Sequence, residues 1–299
     1  MPATLMTESS NPPVPIRRVG LVSKPSKPEL ARVLPELLRW LGSHHYEVVV
    51  DEVTATYVAW PKVVARERMG DFDLSFVVVL GGDGTLISAA RAVAPSGVPI
   101  LGVNLGTLGF LTEVPLDGLY EALGAIEASH AHIEARSMVH CEVMRGDRAI
   151  ASYDALNDVV VNKTSIARLA SFDLFIDGVF VSSNKADGLI VATPTGSTAY
   201  SLAAGGPVLM PSVDAFVITP VSPHALTHRP LVVRDSAEIE IIVGAGKEDS
   251  FLSIDGQEGI HIVDGDRIYC SKSATVVKLL RSRYDFFDAL RTKLKWGQR

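Results

Sequence analysis

The sequence lacks most of the features that mark secreted, membrane and nucleic-acid-binding proteins. It has two cysteines in 299 residues, Cys141 and Cys270, and no C-x-x-C pair. Buried thiols in a reducing compartment are therefore favoured over a disulfide or a metal site. It has no run of about 18 apolar residues, the length that a membrane span needs. The net charge of -6 disfavours general binding to nucleic acid or to an anionic membrane, so we expect neither partner.

The first 15 residues also lack the pattern of a signal peptide. Glu8 and several prolines stand where a basic start and a continuous apolar stretch would be needed. We expect residues 1–15 to be a disordered tail on a cytoplasmic protein. The rest of the chain, with 47% hydrophobic residues overall, is long enough for two well-packed domains.

A predicted buried strand that ends in a glycine turn stands out in the N-terminal half. Residues 76–80 are all apolar, and Gly81-Gly82-Asp83-Gly84-Thr85 follows them, with a helix predicted from about Leu86. Such a turn presents backbone amides and the positive end of a helix to an anion such as an oligophosphate. Asp83 is the one ionisable side chain in it. The alternative is a structural turn in which Asp83 caps the helix.

The glycine turn differs from the two best-known nucleotide-binding loops. It contains neither G-x-x-x-x-G-K-[ST] nor G-x-G-x-x-G, which excludes the loops of P-loop enzymes and of dinucleotide dehydrogenases. It also contains no lysine or arginine. We therefore expect a metal ion to neutralise the charge of any bound oligophosphate.

Strands and helices alternate around this turn. Strands are predicted at 17–22, 46–50, 76–80 and 98–104, and helices at 30–41, 59–69 and 116–128. This alternation predicts an α/β domain with a parallel sheet over residues 16–128. A second glycine turn follows at 105–111, and both turns should face one crevice, because ligands bind outside the carboxyl ends of parallel strands. Pro35 lies inside the first helix, so we expect either a kink or a later start.

From about residue 129 the pattern changes to short β-branched runs. Asp177-Gly178 and Asp255-Gly256 lie between such runs and predict two-residue hairpin turns. An all-β sandwich domain is therefore predicted over residues 129–280, followed by a C-terminal helix over 281–299 that returns to the α/β domain. The runs are 139–143, 149–153, 158–161, 172–176, 179–181, 188–192, 215–219, 238–243, 251–254 and 275–280.

One stretch of the second domain is not ordinary strand sequence. Residues 188–192 lead into Thr193-Pro194-Thr195-Gly196-Ser197-Thr198-Ala199-Tyr200-Ser201. Hydroxyls and backbone groups on a restrained turn suit a neutral polar ligand such as a ribose or a base edge, and Tyr200 offers a stacking face. The alternative is a Ser/Thr turn with a helix cap.

Four blocks together closely resemble the bacterial NAD kinases. They are residues 81–85, 104–111, 157–158 and 193–201, and they occur in the order of that family. The first block is shared with lipid kinases, whereas the last is highly specific. The resemblance implies phosphoryl transfer from ATP, with Mg²⁺, to the 2′-hydroxyl of the adenosine ribose of NAD. It also implies an active site between an α/β domain and a β-sandwich domain, in a homodimer or homotetramer.

The resemblance further implies roles for individual residues. Asp83 is implied as the general base, and no residue is predicted to bind a metal directly. A ribose hydroxyl is a poor nucleophile, so the reaction needs such a proton acceptor. The implied substrate-binding residues are Gly82, Gly84, Thr85, Asn157, Asp158, Arg168, Lys185, Asp187, Thr195, Thr198, Ala199, Tyr200, Ser201, Ala203, His224 and Gln257.

Within that set the resemblance implies distinct contacts. Asn157 and Asp158 correspond to ribose and phosphate-side contacts, residues 198–200 to the wall beside the adenine, and His224 to a position near the phosphates. Ala203 stands where many members have a serine, and Arg168 occupies a position that varies across the family.

Two alternatives remain open from the sequence. A lipid or sugar kinase could use the same glycine turn, although no clear amphipathic membrane-facing helix is present. A non-catalytic NAD sensor could share the scaffold, although loss of the loop carboxylate would be expected there and Asp83 is intact.

Overall fold

The computed structural model describes residues 17–106, 108–164, 170–225, 227–244, 250–281 and 286–296. The predicted tail at 1–15 and the predicted contact Arg168 lie outside these ranges. None of the helices within them is long and apolar enough to cross a membrane.

Alternating helical and strand periods build the N-terminal half. Its strands are β1 (Arg17–Ser23), β2 (Tyr46–Asp51), β3 (Val63–Val64), β4 (Phe76–Gly81), β5 (Ile100–Asn104) and β6 (Val114–Pro115). Its α-helices are α1 (Leu30–Ser43), α2 (Asp83–Val93) and α3 (Leu119–Glu127). The strands pair in parallel in the order β5-β4-β1-β2-β3, which confirms the predicted parallel sheet.

The predicted helix over 59–69 is wrong. These residues form β3 and the start of a 3₁₀ helix at Arg66–Asp71. Trp60 donates its indole N–H to a backbone carbonyl of β2, and the Arg66 guanidinium lies 2.6 Å from the fully buried carboxylate of Asp51. These tertiary contacts outweigh the local helical period. The first helix does not start late, since Pro35 lies inside α1.

Strands dominate the C-terminal half, and two of them, His132–Arg145 and Arg267–Arg281, have 14 and 15 residues. The strands are β7 (His132–Arg145), β8 (Arg148–Ala155), β9 (Asp158–Lys163), β10 (Ala170–Ile176), β11 (Val179–Ala186), β12 (Gly188–Ala192), β13 (Ala215–Val221), β14 (Leu231–Arg234), β15 (Ile239–Gly244), β16 (Ser250–Ile254), β17 (Glu258–Ile262) and β18 (Arg267–Arg281). The helices are α4 (Tyr200–Ala203) and α5 (Phe286–Leu294). The predicted runs do not include β14 and β17. The Asp177-Gly178 turn is confirmed as a two-residue hairpin turn. The Asp255-Gly256 turn is one residue longer than predicted, because Gln257 also lies in the loop before β17. The φ angle is positive at each of these Asp and Gly residues.

Two sheets pack face to face in this half. One has the antiparallel order β14-β13-β12-β9-β16-β17, and the other contains β7, β8, β10, β11, β15 and β18. Their shared core includes Phe172 from one sheet and Phe216 from the other, so the sandwich is confirmed. Cys141 and Cys270 are directly paired neighbours on β7 and β18, and both are buried free thiols, as predicted.

Strand β18 joins the two halves of the molecule. Its Leu279 pairs in parallel with Ile100 of β5, so the second sheet of the sandwich continues into the parallel sheet. The fold class, an α/β part with a parallel sheet followed by a β-sandwich, is confirmed. The residue boundaries of the division, 16–128, 129–280 and 281–299, stay a prediction.

Candidate active site

The carboxylate of Asp83 is held in one orientation by a loop that follows another strand. Its Oδ1 accepts hydrogen bonds from the backbone N–H of Leu111 at 3.1 Å, and from the N–H and hydroxyl of Thr112, each at 3.0 Å. Its Oδ2 accepts one, from the N–H of Phe110 at 2.8 Å. The side chain remains 27% exposed. Oδ1 is therefore saturated, whereas Oδ2 keeps the capacity to accept another proton.

Two strand ends bring these groups together. Asp83 is the first residue of α2, directly after β4, and the loop that donates to it follows β5, the parallel neighbour of β4. A Cβ on Gly109 would lie 2.8 Å from the Asp83 Cγ, so only glycine lets the loop close over the carboxylate. These hydrogen bonds bring the two glycine turns into contact, as the prediction of a shared crevice requires.

The space above the turn is open. A Cβ placed on Gly82 would meet no atom within 4 Å, and Gly84 is exposed. The first amides of an α-helix have no partner within the helix, and here they belong to the start of α2. An anion could approach these amides without moving a side chain. Gln257, from the turn after β16, donates to the Gly84 carbonyl at 2.8 Å.

The turn at Asn157-Asp158 is held by a buried carboxylate. Asp255 accepts hydrogen bonds from the backbone N–H of Leu156, Asn157 and Asp158 at 3.1, 2.7 and 3.2 Å. The Arg91 guanidinium, on α2, lies 3.5 Å from the same carboxylate. The helix that carries Asp83 is thereby linked to the turn that carries Asn157.

Asp158 has an unusual environment for an aspartate. Its side chain is buried, and this burial, with the nearby Asp255 carboxylate as the smaller cause, raises the pKa of Asp158 to about 7. Burial raises the pKa of Asp255 as well, against the lowering effect of its backbone hydrogen bonds. Asp158 can therefore be neutral or charged close to neutral pH.

The block 193–201 packs against this turn. The Thr193 hydroxyl donates to the Leu156 carbonyl at 2.5 Å, and a Cβ on Gly196 would lie 2.6 Å from the Asn157 Cα. The Arg136 guanidinium donates to the hydroxyl of buried Thr195 at 3.3 Å. The backbone of the two segments is thus in close contact, and glycine at 196 permits it.

The remaining residues of the block divide into exposed and buried positions. Thr198 and Ala199 are half-buried and Ala203 is exposed, while Tyr200 presents its ring to solvent with 42% exposure. Ser201 is fully buried, and its hydroxyl lies 2.8 Å from that of Thr219. Its hydroxyl is therefore engaged inside the protein.

Two family models match most of the chain. The model of the ATP-NAD kinase N-terminal domain matches residues 19–131, and that of the ATP-NAD kinase C-terminal domain matches residues 156–282. The chain belongs to the NAD kinase family. The two matches together cover most of the chain, so the alternative of a lipid or sugar kinase is set aside.

Relatives and solved structures extend over nearly the whole chain. The NAD kinase of Koribacter versatilis is 56% identical over 95% of this chain and all of its own length, and that of Acidobacterium capsulatum is 51% identical with the same coverage. Yeast NADH kinase complexed with NADH superposes with a TM-score of 0.87 at 27% identity, covering 96% of this chain and 90% of its own. An NAD kinase from Archaeoglobus fulgidus in complex with ATP superposes with a TM-score of 0.73 at 28% identity. The superposition covers 92% of this chain and 99% of the Archaeoglobus chain.

Three further predicted residues of this NAD kinase family member lie together at the join of β11 and β12. The backbone N–H of His224 donates to the Lys185 carbonyl at 3.0 Å. Asp187 forms an ion pair with Lys163 at 2.6 Å, and the hydrogen bond from Lys163 lowers the pKa of Asp187. Lys185 and His224 are exposed. The structure therefore groups these three residues with one another, where β11 leads into β12.

A buried charge cluster joins the Asp83 loop to the 193–201 block. Glu113, the residue after Thr112, forms an ion pair with Arg281, and the Arg281 guanidinium also lies 2.7 Å from Glu134. Glu134 in turn lies 3.2 Å from Arg136, the residue that donates to Thr195. Burial raises the pKa of Glu113 to about 7, although both guanidinium groups oppose the shift.

Several residues of the site were not predicted from the sequence. Asp255 was predicted only as part of a hairpin turn, and Arg91 and Arg136 were not singled out at all. Lys293 of α5 places its ammonium 3.6 Å from the Asp83 Oδ2 and 4.8 Å from the centre of the Phe110 ring. The helical period of residues 286–294 predicted that this segment is a helix, but it did not indicate which side chain reaches the site.

Proposed function

We propose that the enzyme transfers the terminal phosphoryl group of ATP to the 2′-hydroxyl of the adenosine ribose of NAD, and that Asp83 is the general base. The 2′-hydroxyl gives its proton to Oδ2 of Asp83 as its oxygen forms a bond to phosphorus. The bond between the phosphorus and the bridging oxygen of ATP breaks, and ADP leaves with that electron pair.

The orientation of Asp83 is the observation that carries this proposal. Three donors on Oδ1 fix the plane of the carboxylate, and the single N–H on Oδ2 leaves that oxygen able to accept a proton. A base that is held in place before the substrate arrives needs little reorganisation during the reaction. A helix cap would instead bond the amides of its own first turn, whereas the described hydrogen bonds to the Asp83 carboxylate come from the loop after β5.

The phosphates of ATP are proposed to lie over the open glycine turn. Gly82, Gly84 and Thr85 surround the start of α2, where backbone amides and the helix dipole favour an anion. Gln257 closes one side of this space through its hydrogen bond to Gly84. His224 is proposed near the phosphates on the strength of the family resemblance alone.

NAD is proposed to lie along the segments that Asp255 and Gly196 hold together. Asn157 and Asp158 would contact the ribose and phosphate side, and Thr195 and residues 198–200 would form the adenine side, with the exposed Tyr200 ring as a stacking face. The other proposed contacts are Ser201 and Ala203 at this end, Lys185 and Asp187 at the join of β11 and β12, and Arg168 outside the described residues.

The donor set of the site suits a Mg²⁺ ion that arrives with ATP. Among the residues that the structure describes, no group of three or more His, Cys, Asp or Glu side chains could hold a metal ion. Mg²⁺ is commonly held by substrate phosphates and water, so it could enter with ATP without a dedicated set of protein ligands. When bound, the ion would neutralise charge on the phosphates.

We also propose that the enzyme works in the cytoplasm. Cys141 and Cys270 are directly paired across β7 and β18, yet both are free thiols. Such thiols are typical of a reducing compartment.

Incubation of the purified chain with NAD, ATP and Mg²⁺ tests the proposed reaction, with NADP measured by an NADP-specific dehydrogenase. We expect NADP to form, and to fall to background when Mg²⁺ is removed by EDTA. Asp83→Asn keeps the size of the side chain but cannot accept the proton, so kcat should fall by about 10²-fold or more while NAD still binds. Near-normal turnover by this variant would refute the assignment of the base, and absence of NADP from the wild type would refute the reaction.

A further inference from the structure

A cation from the far end of the chain stands beside the proposed base. Lys293 lies in the last turn of α5, and α5 is fixed against the protein by buried Ala289 and Leu290. Its ammonium is 3.6 Å from Oδ2 of Asp83, the oxygen that has the fewer hydrogen bonds. The same ammonium lies 4.8 Å from the centre of the Phe110 ring, on the residue whose N–H donates to that oxygen.

The contact is too long for Lys293 to be committed to Asp83. A charge-assisted N–H···O bond is usually about 2.7–2.9 Å long, so at 3.6 Å the ammonium is attracted to the carboxylate without a direct hydrogen bond. Its three N–H donors can therefore be shared with another anion. The side chain is 29% exposed, which leaves it accessible from solvent.

Two other cations on α2 and α5 are engaged with carboxylates elsewhere. Arg91 lies eight residues further along α2, about 12 Å at the rise of an α-helix, and its charge is engaged with Asp255 and Glu258. Arg291, on the same helix as Lys293, pairs with Asp288. Among the ion pairs of the described residues, the one to Asp83 comes from Lys293.

The proposed reaction needs a cation at this position. Attack by the 2′-hydroxyl brings the negatively charged terminal phosphate next to the oxygen that takes the proton, and two anions at that distance repel each other. We propose that Lys293 binds the terminal phosphate of ATP, with its ammonium placed between the phosphoryl oxygens and the Asp83 carboxylate. It keeps its proton throughout and stabilises the charge on the oxygens of the transferred group. This assignment rests on the proposed function.

The variant Lys293→Met tests this assignment because it keeps the length of the side chain and removes the charge. We expect kcat/KM for ATP to fall by about 10- to 100-fold, with KM for NAD changed by less than twofold. Since only ATP has the terminal phosphate, binding of ATP measured by calorimetry without NAD should weaken, whereas binding of ADP should not. Lys293→Arg should recover part of the loss, and the matched control Lys295→Met, an exposed neighbour, should behave as the wild type.

Two results would overturn the assignment. One is a kcat/KM for ATP in Lys293→Met equal to that of Lys295→Met. The other is an equal loss of ATP, ADP and NAD binding together with a lower melting temperature, which would show that Lys293 only fixes α5. Failure of the proposed reaction would be seen separately, as wild-type enzyme that makes no NADP, and the ATP against ADP comparison would still decide whether Lys293 binds the terminal phosphate.

Discussion

Replacement of Gly109 by alanine should disable the base without altering the fold. A Cβ at this position would lie 2.8 Å from the Asp83 Cγ. Carbon atoms in contact are ordinarily about 3.5–4.0 Å apart, and the Asp83 Oδ1 and the Thr112 hydroxyl would lie closer to the new Cβ than the Cγ does, so the carboxylate would have to move by at least about 1 Å. Gly109 is not among the residues with positive φ, so an alanine would not strain the backbone there. The effect should therefore come from displacement of the Asp83 carboxylate and of the Thr112 hydroxyl that donates to it.

The expected magnitude follows from that displacement. A shift of about 1 Å breaks the alignment of Asp83 with its four donors in 110–112, and misplacement on this scale commonly lowers a rate by about 10²-fold. We expect kcat of Gly109→Ala to fall by about that factor, as measured by NADP formation, with KM for NAD changed less than twofold. Circular dichroism should be unchanged, because Asp83 lies at the rim of the core with 27% exposure.

A matched control separates this effect from a general effect of alanine. Gly124 lies in α3, and a Cβ there would meet no atom within 4 Å, so Gly124→Ala should keep wild-type activity. If Gly109→Ala kept kcat within twofold of the wild type, the position of Asp83 would not matter for turnover, and the reasoning from its hydrogen bonds would be wrong.

Two further predictions concern pH and assembly. The folded-state pKa of Asp158, about 7, lies above its ordinary value of 3.8, so the stability from its neutral form is present at low pH and lost as pH rises to 7. The free energy of unfolding of Asp158→Asn should therefore rise by about 2 kcal/mol relative to that of the wild type as the pH is raised from 5.5 to 8, measured by denaturant unfolding. A difference between the two proteins that does not change with pH would contradict the burial argument. We also propose a homodimer or homotetramer, because the edge strand β11 exposes Val179 and Phe180 at 67% and 56%. Light scattering should show a dimer or tetramer for the wild type and a smaller species for Phe180→Glu. A monomeric wild type would contradict the proposed assembly.

The local signals in the sequence predicted the elements that need only neighbouring residues. The apolar run 76–80 and the glycines after it predicted β4 and the start of α2 within two or three residues. The Asp-Gly pairs predicted the positions of both hairpin turns, because Asp and Gly adopt positive φ readily, although the turn at Asp255-Gly256 is one residue longer than predicted. The motif at 193–201 predicted an unusual strand end, which packs against Asn157.

Elements that depend on distant partners were predicted poorly. The segment 59–69 has a helical period, but the buried ion pair of Arg66 with Asp51 and the fixed ring of Trp60 hold it in another form. Strand β18 was predicted at 275–280 and spans Arg267–Arg281, because pairing with β7 along almost its whole length extends it. Nothing in its own sequence states that Leu279 continues into the parallel sheet.

The same distinction explains why the base could be predicted and its surroundings could not. Asp83 is marked by its own turn, but its four donors follow a different strand, and the ammonium beside it comes from a helix 210 residues later. Three polar links then connect the α2 side of the crevice to the sandwich, namely Gln257 to Gly84, Arg91 to Asp255, and the cluster from Glu113 to Arg136. Because each link joins groups far apart in sequence, the geometry of Asp83 is a property of the folded chain as a whole. A substitution of Asp255 or Arg136, which breaks one of these links, should therefore alter catalysis although neither residue is assigned a contact with a substrate.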